Sequence, residues 1–142
     1  MFLAAVSMVV LYYLVTYIFY VVAGIRIFAK FGEPAWKAII PFYNTYVQYS
    51  KVWSSAMGIV SVALTLVHAI GSNYTASNAT LAVIITIVGI ANFVVTLLGN
   101  IKLAKSFGHG TGFGIGLTIL QPIFILILGY SGDRYIGNTT EK

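Results

Sequence analysis

Five glycines alternate through Phe107-Gly108-His109-Gly110-Thr111-Gly112-Phe113-Gly114-Ile115-Gly116, the stretch of this chain that most resembles a phosphate cradle. It fails as a P-loop, because no Gly-Lys-Ser/Thr follows, and a dinucleotide unit cannot form between membrane helices. A flexible turn around His109 is expected instead, followed by close helix packing through Gly112 and Gly116. The exposed amides leave room for a lipid phosphate as a lesser reading. Asn92 and Gln121 are amides set deep in apolar runs, where a buried polar group needs a partner. They are read as interhelical hydrogen bonds, with a lined solute path as the alternative. Tyr13, Tyr17 and Tyr20 share one helical face by their spacing and are expected in helix packing or a subunit contact. His68 has no second histidine or carboxylate at ligand spacing, so no metal is expected. Glu33, Asp133 and Glu141 are too far apart to act as a catalytic pair. No catalytic residue, cofactor or metal site is assigned, and the chain is expected to be non-enzymatic.

The elements that must position these groups follow from composition. The chain has 142 residues, 59% hydrophobic and 8% charged, with three acids, eight Lys and Arg, and no cysteine. Soluble domains carry about 25% charged residues, so a polytopic all-α membrane protein is expected. The missing cysteines exclude disulfides, thiolate metal sites and cysteine nucleophiles. The first apolar run lacks a basic n-region and is too long for a cleavable signal. The bases are scattered in short loops, which argues for bilayer orientation and against nucleic acid.

Crossing about 30 Å of hydrocarbon takes about 20 apolar residues in a helix. Four runs qualify, at about 2–24, 53–71, 81–99 and 113–130, in a single membrane domain over 1–142. Arg26, Lys30, Lys37 and Lys51 lie in one loop, and Lys102 and Lys105 in another on the same side. The positive-inside rule places the basic loops 25–52 and 100–112 in the cytoplasm. With four crossings, the N- and C-termini then face outward. The acceptor patterns at Asn73, Asn78 and Asn138 fall outside in this scheme, which is compatible with glycosylation, but plain polar loops rich in Asn, Ser and Thr are the favoured reading.

Between the first two spans runs KFGEPAWKAIIPFYN. Pro34 suits a first helical turn, Pro41 prevents smooth continuation, and Trp36, Tyr43, Tyr46 and Tyr49 suit headgroup depth. A short helix over about 34–40 and a second from about Pro41 are expected. Together they would make an interfacial elbow over 33–52, with a re-entrant loop as the alternative. Ala29-Lys30-Phe31-Gly32 and Ala104-Lys105-Ser106-Phe107-Gly108 are similar enough to suggest two repeated hairpins.

Those residues also carry a resemblance. Gly32, Pro34, Trp36, Pro41, Phe42, Tyr43 and Asn44, then Lys105, Phe107, Gly108, Gly112 and Phe113, with a C-terminal Gly-x-Arg-Tyr-x-Gly, resemble a family of small prokaryotic membrane proteins of unknown function. Its domain also occurs attached to some proteins classed as signal peptidase I. The resemblance implies a four-helix membrane fold and no activity. Peptidase chemistry needs a serine and a lysine base on a domain outside the membrane, and this chain has no such domain. The functional expectation is a structural or accessory subunit acting through lateral contacts in the lipid bilayer, as a homo-oligomer or within another membrane complex. The alternative is a small oligomeric channel for a neutral solute or ion.

Overall fold

In a computed structural model of the chain, residues 1–137 are described, and every regular element among them is helical. Helix α1 spans Phe2–Phe31, α2 Trp36–Ile39, α3 Tyr43–Val52 and α4 Ser55–Gly71. A 3-10 turn over Ser72–Ser77 extends α4, and α5 runs Ala79–Ser106, α6 Thr111–Ile119 and α7 Gln121–Tyr130. Three helices are long and apolar enough to cross a membrane: Phe2–Phe31, Ser55–Ser77 and Ala79–Ser106. The first and third are longer than their apolar runs, because no helix-breaking residue intervenes before Gly32 and Gly108. Ser54 caps α4 by accepting from the Met57 amide, and Asn78 caps α5 by accepting from the Leu81 amide at 3.0 Å.

α1 and α5 end in the same way. Gly32 and Gly108 adopt φ of 78° and 82°, a left-handed conformation that glycine enters without a Cβ penalty. The amide of the next residue reaches back five positions, Glu33 to the Phe28 carbonyl at 2.8 Å and His109 to the Ala104 carbonyl at 2.9 Å. This is the Schellman closure. It places Phe31 and Phe107, each just before its glycine, with ring centroids 5.7 Å apart. The two Phe-Gly caps define one end of the bundle, called here the basic end.

After each cap the chain turns back into the bundle and then returns to the same end. The first excursion is α2 and α3. Tyr17 donates from its hydroxyl to the Ile39 carbonyl at 2.9 Å, and Tyr17 stands about 21 Å up α1 from Phe31 at 1.5 Å per residue. The tip at Pro41–Phe42 therefore reaches mid-helix depth, and α3 brings the chain back to Lys51, 3.0 Å from Glu33. The expected interfacial elbow is thus a hairpin that rises between the long helices. Its apolar flank, Ala38 and Val47, is buried in the core, which an interfacial position would not provide.

The second excursion replaces the expected fourth span. Residues 113–130 form two helices meeting at Leu120, not one. In a straight helix Phe113 and Phe124 would lie about 16 Å apart along the axis; their ring centroids are 5.1 Å apart. α6 runs up beside α5, where Asn100 donates to Thr118 at 3.1 Å. α7 comes down beside α1, where Lys30 donates to the Leu128 and Ser131 carbonyls at 2.6 and 3.0 Å. The described segment after α7 consequently lies at the basic end of the bundle, away from Met1. Apolar length alone cannot distinguish one crossing from two half-length helices.

The core lies at this end. Ile27, Phe28, Val52, Leu103, Leu117 and Leu128 are among its buried members. The other half of α1 stands nearly free, with none of its most apolar 18-residue window buried. Glycine contacts locate the tight seams. A Cβ on Gly114 would sit 2.9 Å from the Ile101 amide nitrogen, whereas Gly112 has open space. The close packing expected of Gly112 therefore falls to Gly114, one residue pair out of phase. Gly114→Ala is expected to lower stability by about 1–3 kcal/mol, seen as a lower melting temperature in detergent, while Gly112→Ala melts near wild type.

Candidate functional site

The two hairpin tips meet in a cleft of about 410 Å³ between α1 and α4. Tyr13, Tyr17 and Tyr20 face it from α1, Asn44 and Thr45 from α3, Thr65 from α4, and Gln121 from the second tip. Every polar group there is a hydroxyl or an amide, and none of the lining residues is charged. The periodicity that puts the tyrosines on one face of α1 also aims them at this cleft. Asn44 is buried and donates to the Ala38 carbonyl at 3.1 Å, tying the returning leg of its hairpin to the rising one. Phe42, at the tip, has φ 65°, the only positive φ outside glycine among the described residues. Such a conformation costs about 1–3 kcal/mol and persists where the surroundings over-determine it.

Below the cleft lies a void of about 10 Å³, bounded by Tyr20, Ile27, Phe28, Asn44, Gln48 and Ile125. That is room for about one water molecule. Tyr20 and Asn44 line both spaces. Phe28, which bounds the void, packs on Phe31 with ring centroids 5.7 Å apart.

At the basic end the two caps and the tail form a clasp. Tyr135 packs on Phe31 at 5.0 Å and on Phe107 at 5.8 Å, and its hydroxyl donates to the Lys51 carbonyl. The Ile136 amide donates to the Ser106 carbonyl at 2.7 Å. Each hairpin also carries an acid–base pair across its base. Glu33 contacts Lys37 at 2.5 Å and Lys51 at 3.0 Å; His109 meets Asp133 at 2.6 Å. Hydrogen bonds from Lys37 and then Lys51 hold the Glu33 carboxyl below its ordinary range. The Ser131 hydroxyl, then His109, does the same for Asp133.

With this geometry described, comparison with known proteins adds one finding. Residues 36–138 match a family of unknown function, DUF5684. The chain belongs to that family. No curated protein and no solved structure matches it. The matched stretch starts at α2, so it takes in both hairpins, the two helices between them and the described tail, and leaves out all of α1.

The residues singled out from sequence divide between these places. Pro41 and Gln121 are at the two tips, Asn44 is in the cleft floor, and Phe107 and Gly108 are in the clasp. Trp36 and Tyr43 stack at 5.9 Å on the exposed flank of the first hairpin. Asn92 accepts from Thr65 across α4 and α5 at 3.2 Å. Gly116 faces the Phe124 ring where the second hairpin doubles back, and Lys105 is exposed. The Asn73 side chain donates to the Ala69 and Ile70 carbonyls, and that of Asn78 is the α5 cap; Asn138 lies outside the described residues. Sequence reading missed Asn100, Thr118 and Tyr135. Only the Arg-Tyr in the tail motif pointed to the last of these, without a partner to give it meaning.

The depressed carboxyl values fix a sign. Each carboxylate adds stability above its unfolded-state value, about 4, and that contribution is lost as the pH falls through the lower folded-state value. Unfolding measured in detergent is expected to become easier as the pH drops below about 4. A Glu33→Gln, Asp133→Asn variant should be less stable near neutrality and show a flatter acid limb.

Proposed function

We propose that the protein is a non-enzymatic, multi-pass membrane protein that provides a permeation pathway for a small neutral solute. The observation that carries this reading is the pair of broken hairpins, which rise from one end and place their tips around an uncharged, hydrogen-bonding cleft. Non-helical backbone at membrane depth is tolerated where it is buried in protein or lines a water-filled cavity. Discontinuous helices meeting near the midplane are a recurring way to build solute sites. An uncharged lining favours a neutral cargo over an ion, since ionisable residues mark most ion-coupled paths.

Lys30, Lys37, Lys51, Lys102 and Lys105 cluster at the basic end, which supports a cytoplasmic placing of that end in the cell membrane. In that orientation the N-terminus is outside and the tail segment 131–137 inside. A second reading, a structural or accessory subunit, is favoured by the free half of α1. Its exposed apolar face, from Phe2 to about Phe19, is available for lateral contact with a second copy or another membrane protein.

Solute flux into proteoliposomes, followed by light scattering over a series of small uncharged polyols and amides, tests the first reading. Wild-type vesicles should exceed protein-free vesicles for at least one solute. Gln121→Leu, which removes the amide at the second tip, should cut that flux about tenfold, the worth of one hydrogen bond. Flux indistinguishable from protein-free vesicles across the series sinks the permeation reading and leaves the accessory one.

A further inference from the structure

We propose that the cleft and a groove beside it form one binding site for a neutral-headed lipid, a fatty-acid ester of glycerol. Its uncharged head would lie among the hairpin tips and its chain along α4. The site shares the cleft with the permeation reading but does not require any solute to cross.

Two spaces of similar size adjoin between the first hairpin and α4. One is the cleft of about 410 Å³, and the other is a groove of about 420 Å³. Phe42 and Val62 line both. On the cleft side of this shared edge stand Asn44, Thr45, Thr65 and Gln121, all hydrogen-bonding and uncharged. On the groove side stand Tyr43 and Tyr46 from α3, with Ile59, Ala63 and Leu66 from α4. Helical spacing produces the division. Ile59, Val62, Ala63 and Leu66 fall at i, i+3, i+4 and i+7 on one stripe of α4. Thr65, three residues on from Val62, belongs to the cleft. The Tyr43 and Tyr46 rings stack 6.2 Å apart, 24° from parallel, and add an aromatic wall. Ile59 and Leu66 are exposed, so a chain reaches the groove sideways from the bilayer.

An occupant of both spaces must be polar at one end and apolar at the other. The groove suits an acyl chain, because aliphatic and aromatic surface is what it offers. The cleft selects the head. Its floor lies at mid-helix depth, where the Tyr17 hydroxyl meets the Ile39 carbonyl. A phosphate or ammonium brought to that depth without a counter-charge pays its full desolvation, and no residue lining the cleft is charged. Glycerol hydroxyls avoid that cost, and they both donate and accept, as the hydroxyls and amides of the cleft do. Phe42 marks the boundary with its positive φ of 65°. Strained residues of this kind cluster at ligand clamps, and here the strain sets one side chain against both halves of the site.

The test uses the full chain in nanodiscs of phosphatidylcholine. Two probes carry the same diazirine-bearing acyl chain, one a monoacylglycerol and the other a phosphatidylcholine. The residues they label are read by peptide mass spectrometry. The glyceride should label Tyr43, Tyr46 and Ile59–Leu66 about tenfold more than the phospholipid does, the worth of one hydrogen bond at the head. Both probes should label the free half of α1 alike. Excess unlabelled monoacylglycerol should remove the groove labelling and leave that of α1. Ala63→Trp, which fills the groove from an exposed position, should bring glyceride labelling there down to the phospholipid level. Gln121→Leu should cut the preference by about threefold to tenfold, through the head alone. Equal labelling by the two probes in the native chain overturns the site, as does a preference that survives Ala63→Trp. A second copy seated on the groove would leave it unlabelled by either probe and give the nanodisc protein a dimer mass, which also overturns it. Flux is read separately. Preference without flux keeps the lipid site and removes the permeation reading, and flux without preference does the reverse.

Discussion

Every helix break at membrane depth leaves backbone donors and acceptors that water cannot reach, and the fold is arranged around satisfying them. At the first tip the Tyr43 amide donates to the Pro41 carbonyl and the Asn44 amide to that of Ile40. The Tyr17 hydroxyl serves Ile39, and the Asn44 side chain serves Ala38. At the second tip the Leu120 amide closes on Gly116, and the Leu120 carbonyl accepts from both Ile123 and Phe124. Proline enters both turns for a reason. Pro41 brings no amide to be satisfied, and Pro122 sits in the first turn of α7, where an amide would lack an intrahelical partner. The first tip borrows side chains from α1 and α3, so α1 must stand beside it even though the rest of α1 packs on little. The cleft is polar for the same reason: the groups that repair the break also line it.

The two excursions repeat one plan with different chemistry. Each follows a long helix, starts from a Phe-Gly cap, breaks at mid-depth and closes at its base through an acid–base pair. In the first the acid is Glu33, before the hairpin, held by lysines within it. In the second it is Asp133, after the hairpin, held by His109 before it. In both, the pair ties the base of the hairpin while leaving the charges partly exposed. Both stretches end their helix with the same left-handed glycine closure, which accounts for the phenylalanine and glycine they share.

The sequence made the long helices legible because uninterrupted apolar runs need no tertiary information. It also made the caps legible, since Phe-Gly after a basic turn is a local signal. The hairpins were not legible, and the reason differs between them. In 33–52 the prolines announced a break, but depth depends on Tyr17 reaching Ile39, a contact 22 residues away in sequence. In 113–130 Pro122 announces a kink beside Gln121, but eighteen apolar residues satisfy the length of a crossing, and a proline does not tell a kinked span from a full reversal. Gly112 and Gly116 looked like a packing pair; Gly116 does pack, on the Phe124 ring, but Gly112 has open space, and the close approach to α5 runs through Gly114 because α6 presents that face to Ile101. Read as one unbroken span, this segment left Tyr135 with no visible neighbours, and the clasp could not be seen.

Packing is uneven along the bundle, and this decides where motion is cheap. The buried core, from Ile27 and Phe28 to Leu103, Leu117 and Leu128, fills the basic half, while the free half of α1 faces the cleft across open space. Close-packed interiors resist continuous deformation, so separating α1, α5 and the hairpin bases would cost the contacts that hold the fold together. Toward the other end, little packing opposes movement of α1 against α4, and the cleft stands open there already.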